Sequence, residues 1–435
     1  MKIAMLTNNY KPFVGGVPIS VERQAHELIK LGHEVTVFAP TYGDTKAVDE
    51  MAKERIIRYR TQSRKMENGM VYPGIAPVEI LNVFREEKFD CIHVHHPMFV
   101  GPWGVYLGRK YDIPVIYTYH TRYEDYLHYI RCLRISENSL GVKKRAVRWI
   151  QERMIPAYMR WFADQCDMVL TPSAGMQQIL RGYGMNARSA VFPTGLADTF
   201  FERDPKRCAQ IRETYGRGKK HLLVTVSRLE KEKNYGFLLR GIAELKEKYG
   251  DDFHVMIIGE GSQKQELKVR AAFLGIQDNV TFLGNIENSE VKDYLGAADL
   301  FLFASKSETQ GIVLAEAMAA GRPVVAVHSV GVDDIVKDGV NGFLTQEDEE
   351  MYADKIFEAL KSENIRRMSA QAENTAENYR ASRLAIYEEM LYNQCVREKR
   401  LQSWRRQRMA YIEGKDERAY EEKETRGERS PMGIR

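Results

Sequence analysis

Leu300–Val327 reads LFLFASKSETQGIVLAEAMAAGRPVVAV. Its two ends, Leu300–Ala304 and Pro323–Val327, are short apolar runs rich in aromatic and β-branched residues, the composition of buried strands. Between them, turn formers and charges (Ser305–Gly311) give way to a small, apolar stretch that reads as a helix. Strand, loop, helix, strand is the repeating unit of a parallel α/β sheet. Two carboxylates lie eight residues apart in this stretch, Glu308 in the loop and Glu316 about one turn into the helix. They are either ordinary surface glutamates or a functional pair. The apolar residues flanking Glu316 favour the second, because a carboxylate in a packed helix is costly without a partner.

Outward from this unit the same alternation runs in both directions. Leu222–Ser227, His254–Gly259 and Val280–Leu283 precede it as strands of the same half. A separate series occupies the first half: Lys2–Thr7, Glu34–Ala39, Asp90–His95, Val115–Tyr119, Met168–Thr171 and Ala190–Pro193, with a helix from about Val17 to Leu31. The turn-rich, charged stretch between the series puts a hinge near Gly195–Arg203. Two doubly wound units imply two lobes facing a cleft, with ligands at the carboxyl ends of the strands. The expected division is residues 1–197, completed by a returning helix at about 376–396, then 198–375, then a charged basic tail at 397–435.

Bulk properties agree with a globular enzyme-sized chain: 435 residues, 44% hydrophobic, 29% charged. No run reaches the eighteen apolar residues of a membrane span, and the N-terminus turns polar too soon for a signal peptide. Five scattered cysteines without a C-x-x-C suit a reducing cytoplasm and exclude a cysteine zinc site. The net charge of +4 is unevenly placed. Arg131–Arg160 carries eight basic residues against Glu137 and Glu152, and Arg397–Arg408 carries six against Glu398. Within Val142–Phe162, Val142, Ala146, Trp149, Ile150, Arg153, Ala157 and Trp161 recur at helical spacing. Such a helix is either packed with a solvated face or held at an anionic membrane. No nucleic-acid module accompanies the charge, so nucleic acid is not expected as a partner.

Three further clusters bear on chemistry. Gly15-Gly16, ahead of the first helix, lets backbone N–H groups approach a phosphate, or simply makes a turn. It is not G-x-G-x-x-G, which counts against a nicotinamide enzyme. Arg228 and Lys233, in the loop after Leu222–Ser227, are either a solvated charged loop or the fixed positive charge that a diphosphate leaving group needs. His93-Val94-His95-His96 lacks a third ligand at metal-binding spacing, and Asp333-Asp334 is not the Asp-x-Asp of metal-dependent transferases. No metal or other cofactor is expected.

The Glu308-x7-Glu316 pair, Arg228…Lys233, Gly15-Gly16, Gly259-Glu260-Gly261 and Phe282-Leu283-Gly284, which follow one another along the chain in the family's order, resemble the retaining glycosyltransferases of family 4, over about residues 1–395. The resemblance implies the GT-B fold: two Rossmann-like domains facing a cleft. It also implies roles. Glu316 would bind the ribose, and Glu308 would approach the donor sugar. The backbone N–H groups of Gln310, Gly311 and Ile312 would cap sugar and phosphate. Arg228 and Lys233 would clamp the diphosphate, Gly16 would let the first domain close on it, and residues around Gly259, Glu260 and Leu283 would line the base pocket. His120, ending a strand, stands where the family puts a histidine against donor sugar and acceptor. The string His120-Thr121 through Tyr126-x-His128-Tyr129, with Ser307–Gly311, is similar to bacterial 1,2-diacylglycerol 3-glucosyltransferases. A UDP-sugar donor, a lipid acceptor and an anionic membrane surface reached through Val142–Phe162, with Arg397–Arg408 as a second contact, are the partners this implies. The expected location is the inner face of the cell membrane, on the cytoplasmic side. A soluble or polyprenyl-linked acceptor is the alternative within enzymes, along with an epimerase or phosphorylase. A non-catalytic nucleotide-sugar-binding regulator is the alternative outside them.

Overall fold

The computed structural model describes residues 1–13, 15–65, 71–74, 77–124, 141–306 and 308–425. Two all-parallel sheets organise the chain. The first contains β1 (Lys2–Leu6), β2 (Glu34–Pro40) and β3 (Arg55–Tyr59). After a small antiparallel pair, β4 (Thr61–Lys65) with β5 (Val71–Pro73), it continues with β6 (Cys91–Val94), β7 (Val115–Thr118), β8 (Met168–Thr171) and β9 (Ser189–Val191). Their spatial order is β3-β2-β1-β6-β7-β8-β9. The second comprises β10 (His221–Val226), β11 (Phe253–Ile258), β12 (Val280–Gly284), β13 (Leu300–Phe303), β14 (Val324–Val327) and β15 (Gly342–Thr345), ordered β12-β11-β10-β13-β14-β15. Each order reverses once, between β1 and β6 and between β10 and β13. Those are the places where a doubly wound sheet opens a crevice for ligand.

Central strands are apolar on both sides because helices cover both faces. Leu222, Val224, Met256 and Phe301 belong to one buried cluster, and their alternates Leu223, Val255, Leu300 and Leu302 to another. Besides the β4–β5 pair, two strands of the parallel sheets lie outside the sequence expectation, β3 and β15, each at a sheet edge. In β3 two arginines interrupt the apolar run, yet the strand pairs with β2, and Arg58 is satisfied by Asp49 (2.6 Å) and the carbonyl of Lys11 (2.7 Å). The four-residue β15 begins at a glycine and pairs with β14.

Two crossings join the domains and run side by side. Leu196 N–H donates to Tyr379 O (2.6 Å), and Ala381 N–H donates to Leu196 O (2.8 Å). A Cβ on Gly195 would stand 2.8 Å from the Ala381 Cα, so the close approach of the two crossings needs glycine there.

From Ala381 the chain is one helix to Thr425. Its first turns return to the first sheet, where Leu384, Leu391, Tyr392, Cys395 and Val396 join the core with Ile3, Met5 and Cys91. Through residue 425 the stretch expected as a charged basic tail from 397 continues this helix, and its cations tie it to the first domain. Lys399, Arg400 and Arg406 pair with Asp167 (3.0 Å), Asp90 (3.1 Å) and Asp112 (2.6 Å), which precede β8, β6 and β7. This basic stretch thus crosses the amino ends of those strands, opposite their carboxyl ends.

Candidate active site

β10 runs into Ser227-Arg228, and a short 3-10 turn, Lys231–Lys233, leads to the helix Tyr235–Tyr249. β13, its neighbour across the switch point, runs into the loop that carries Glu308. The loops meet: Lys306 N–H donates to Glu232 O at 3.3 Å, and the Ser305 hydroxyl to the same oxygen at 3.4 Å. Lys233 Nζ then lies 2.5 Å from Glu308 Oε1, both side chains largely buried. Arg228 is more exposed and reaches Glu232 at 3.0 Å.

The Glu308 loop ends at Gly311, whose φ of 72° closes the turn ahead of the helix Ile312–Ala319. Glu316 sits in this helix, half-buried. Burial pushes its carboxyl up to about 7, and the Arg23 guanidinium of the first domain pulls it back. Arg23 comes from the helix Gly16–Lys30 and donates to Gly195 O at 2.9 Å. The side chain of Gln310, whose backbone N–H is the group expected to face a ligand, is committed to the hinge. Its amide donates to Thr194 O (3.0 Å) and accepts from Thr194 N–H (2.7 Å). Only its backbone is left for a ligand.

Gly259 and Glu260 follow β11, and Leu283 lies in β12. At Gly259 (φ 134°) a Cβ would come within 1.9 Å of the Ser227 carbonyl, so this loop can lie against the Arg228 loop only with glycine. Gly259 N–H donates to Gly284 O (2.8 Å), and Glu260 pairs with Lys264. Leu283 and Ile312 are half-buried against the second-domain core.

The first domain contributes the carboxyl ends of β1, β6 and β7. Gly15 precedes the helix Gly16–Lys30, and a Cβ on Gly16 would meet nothing within 4 Å, so the first turn is open. His120 follows β7, half-buried, with Nε2 3.0 Å from Nδ1 of His95. Burial holds its imidazole neutral, down to about 3. His120, Gly15 and Gly16 make no direct hydrogen bond to Glu308 or Glu316 among the described residues. Lys233 with Glu308 and Arg23 with Glu316 are the charged groups brought together. The domains also meet where Ser173 Oγ donates to Thr309 O (2.7 Å) and Gly175 N–H to Asp334 Oδ2 (3.0 Å).

Nothing in the sequence indicates that Arg23 would face Glu316, Thr194 bond Gln310, or Asp334 accept from Gly175, because each of these contacts forms only across the domain boundary. His95 carried a signal, but one that pointed to metal. Among the described residues no group of three or more His, Cys, Asp or Glu could hold a metal ion. Both nitrogens of His93 are already engaged, by Tyr392 and Thr118.

On the basic helix, the stripe read from the sequence faces outward. Val142, Trp149 and Trp161 are 67%, 58% and 51% exposed, while Val147, Ile155, Met159 and Phe162 are buried instead. A π-helical turn at Ile150–Met154 joins the helices Gly141–Trp149 and Ile155–Ala163, just ahead of Pro156, which has no N–H to continue the ladder. Arg131 and Arg134, like Tyr126–Tyr129, lie outside the described residues. No helix among the described residues is long and apolar enough to cross a membrane.

Residues 14–199 match the pattern described as Glycosyltransferase Family 4, and residues 209–378 match Glycosyl transferases group 1. An alpha-monoglucosyldiacylglycerol synthase of Streptococcus pneumoniae is 33% identical over 83% of this chain and 78% of its own length. One from Acholeplasma laidlawii is 26% identical over 90% and 96%. A GDP-mannose-dependent phosphatidylinositol monomannoside mannosyltransferase of Mycolicibacterium smegmatis is also 26% identical, over 78% of this chain and 83% of its own. Among solved structures, Anabaena HepE in complex with UDP superposes with a TM-score of 0.70 at 18% identity, covering 91% of this chain and all of that one. This likeness shows the shared GT-B fold.

Proposed function

Since the chain belongs to the family 4 glycosyltransferases and is a hexosyltransferase of GT-B fold, we propose that it moves glucose from UDP-glucose to diacylglycerol at the surface of an anionic membrane. The observation that carries this reading is the meeting of Lys233 and Glu308 at the carboxyl ends of β10 and β13, beside a helix that bears Glu316. A cation, a helix N-terminus and a ribose-ready carboxylate in that order match the three parts of a nucleoside diphosphate sugar. The acceptor is supported by the relatives that make glucosyldiacylglycerol and by the outward-facing Trp149 and Trp161 on a basic helix of the His120 domain.

The reaction then proceeds on one face of the sugar. The bond from the anomeric carbon to the β-phosphate oxygen breaks, and Lys233, Arg228 and the N–H groups of Gly311 and Ile312 stabilise the charge that develops. The acceptor hydroxyl adds from the same side and its proton passes to the departing phosphate oxygen, so configuration is retained. Glu308, paired with Lys233, positions the sugar and forms no bond to it. No metal is required in this scheme, because the site's own cations carry the diphosphate charge. Residence is peripheral, on the inner membrane face.

Incubation with labelled UDP-glucose and diacylglycerol in phosphatidylglycerol vesicles tests the proposal. An α-glucosyl diacylglycerol is the expected product. Transfer only to a soluble or polyprenyl-linked acceptor would overturn the acceptor assignment. UDP binding without turnover on any acceptor would reduce the protein to a nucleotide-sugar-binding regulator.

A further inference from the structure

Behind His120, on the side away from solvent, a chain of buried polar groups leads to the C-terminal helix. His93 and His95 project from the same face of β6 and its continuation, their rings 4.1 Å apart between centroids. His95 Nδ1 faces His120 Nε2 at 3.0 Å, and the two rings stack at 5.3 Å. His93 Nε2 meets the Thr118 hydroxyl (2.6 Å), two residues before His120 on β7. His93 Nδ1 meets the Tyr392 hydroxyl (2.5 Å), and Tyr392 donates to Glu388 Oε1 (2.7 Å). His93, Glu388 and Tyr392 are fully buried, and His95 is 1% exposed. Two hydrogen-bonded sets, Glu388–Tyr392–His93–Thr118 and His95–His120, are thus joined by the stacked rings of His93 and His95, and a broken link in either set strands a desolvated group.

We propose that Glu388, Tyr392, His93 and His95 are positioning residues for His120, and that they set it as a hydrogen-bond donor to the cleft through Nδ1. Proton bookkeeping gives the direction. Burial keeps all three imidazoles neutral, so each carries a single N–H. Tyr392 and Thr118 occupy both nitrogens of His93, so His93 has no hydrogen bond left to offer His95. His95 Nε2 has no partner. A proton there would be an orphaned buried N–H, the rarer and costlier defect, so His95 carries its proton on Nδ1 and donates it to His120 Nε2. His120 is left with its proton on Nδ1. Its lone pair is already taken, which makes it unsuited to accept the proton of an attacking hydroxyl. This deepens the proposed front-face reaction and rests on it, because a donor at His120 can orient a sugar or acceptor oxygen while the leaving phosphate takes the proton.

Two measurements decide the matter. Nitrogen-15 spectra of histidine-labelled protein without substrate, assigned through His120→Gln, report the tautomer directly. Nδ1–H at His120 is expected, and Nε2–H would overturn the proposal whether or not the protein makes glucolipid. For the relay, Tyr392→Phe and Glu388→Leu should lower kcat about tenfold with little change in KM for UDP-glucose, the pattern of a misplaced reacting group. Glu388→Gln keeps an acceptor oxygen for Tyr392 and should restore kcat. In a His120→Ala background, Tyr392→Phe should cost nothing more, whereas losses that add would mean a structural role unconnected to His120. Unchanged kcat in Tyr392→Phe would equally overturn the relay.

Discussion

Lys233 Nζ lies 2.5 Å from Glu308 Oε1, so the cation proposed for the diphosphate and the carboxylate proposed for the sugar neutralise each other in the free protein. In the proposed reaction the donor competes with Glu308 for Lys233. Glu308→Ala should therefore release Lys233 for phosphate while removing the group that orients the sugar. UDP affinity should hold or rise, and kcat should fall about a hundredfold, in the range of positioned catalytic groups. Calorimetry of UDP binding beside steady-state rates separates the two effects, and a large loss of UDP affinity would contradict the assignment.

Glu316 is expected to act on the nucleotide instead. Replacing it with alanine removes a charged acceptor worth about 1.5–3 kcal/mol, and UDP affinity should fall accordingly. Its free-state carboxyl, raised to about 7, holds a proton that ribose binding must expel. Affinity should thus decline as pH falls from 8 to 6 in the wild type, relative to Glu316→Gln, which has no such proton. The ratio of the two affinities cancels the titration of UDP itself, and a pH-independent ratio would remove Glu316 from the ribose.

Stability should carry the mark of Glu388. Its carboxyl, pushed up to about 8 by burial, titrates far above its unfolded value of about 4.3. A raised carboxyl contributes stability in full below the unfolded value and loses it as pH rises through about 8. Glu388→Gln keeps the shape without the ionisation. Its melting temperature should exceed that of the wild type at pH 9, with the gap shrinking toward pH 5. A constant gap would place the shift elsewhere.

Chelation is expected to leave transfer intact, since Lys233, Arg228 and a helix N-terminus supply the positive potential. Activity in excess EDTA is the check, and full loss restored by magnesium or manganese would refute the metal-free scheme.

Membrane docking should follow the outward-facing helix. Lys143→Gln, Lys144→Gln, Arg145→Gln and Arg148→Gln together should reduce sedimentation with phosphatidylglycerol vesicles and leave UDP binding unchanged. Binding of the wild type should weaken with salt, because exposed charges are screened beyond about 8–10 Å at physiological ionic strength. Normal vesicle binding by the quadruple variant would return the helix to a solvated face. The Arg397–Arg408 stretch should matter less, with Lys399, Arg400 and Arg406 already paired to aspartates at the far ends of the strands.

Local pattern sufficed for the strands whose apolar runs are uninterrupted. Leu300–Phe303 and Val324–Val327 announce themselves because burial on both faces demands apolar residues at every position. The loops of Gly259, Arg228 and Glu308 were legible for a related reason, since each follows such a strand and its chemistry is written in adjacent residues. β3 was not, because its arginines find their partners far along the chain, Arg58 at Asp49 and the carbonyl of Lys11 and Arg55 at Glu87. The same limit hid Arg23 from Glu316 and Gln310 from Thr194: a charge or an amide in sequence has no address until the second domain closes against the first. It hid most completely the buried polar groups between Glu388 and His120, which are nearly 270 positions apart in the chain and are linked through His93 stacked on His95. Two doubly wound domains and the residues at their strand ends follow from local composition. Which of those residues neutralise, orient or desolvate one another follows from the fold, because hydrogen bonds and buried charges depend on distance in space and not on distance along the chain.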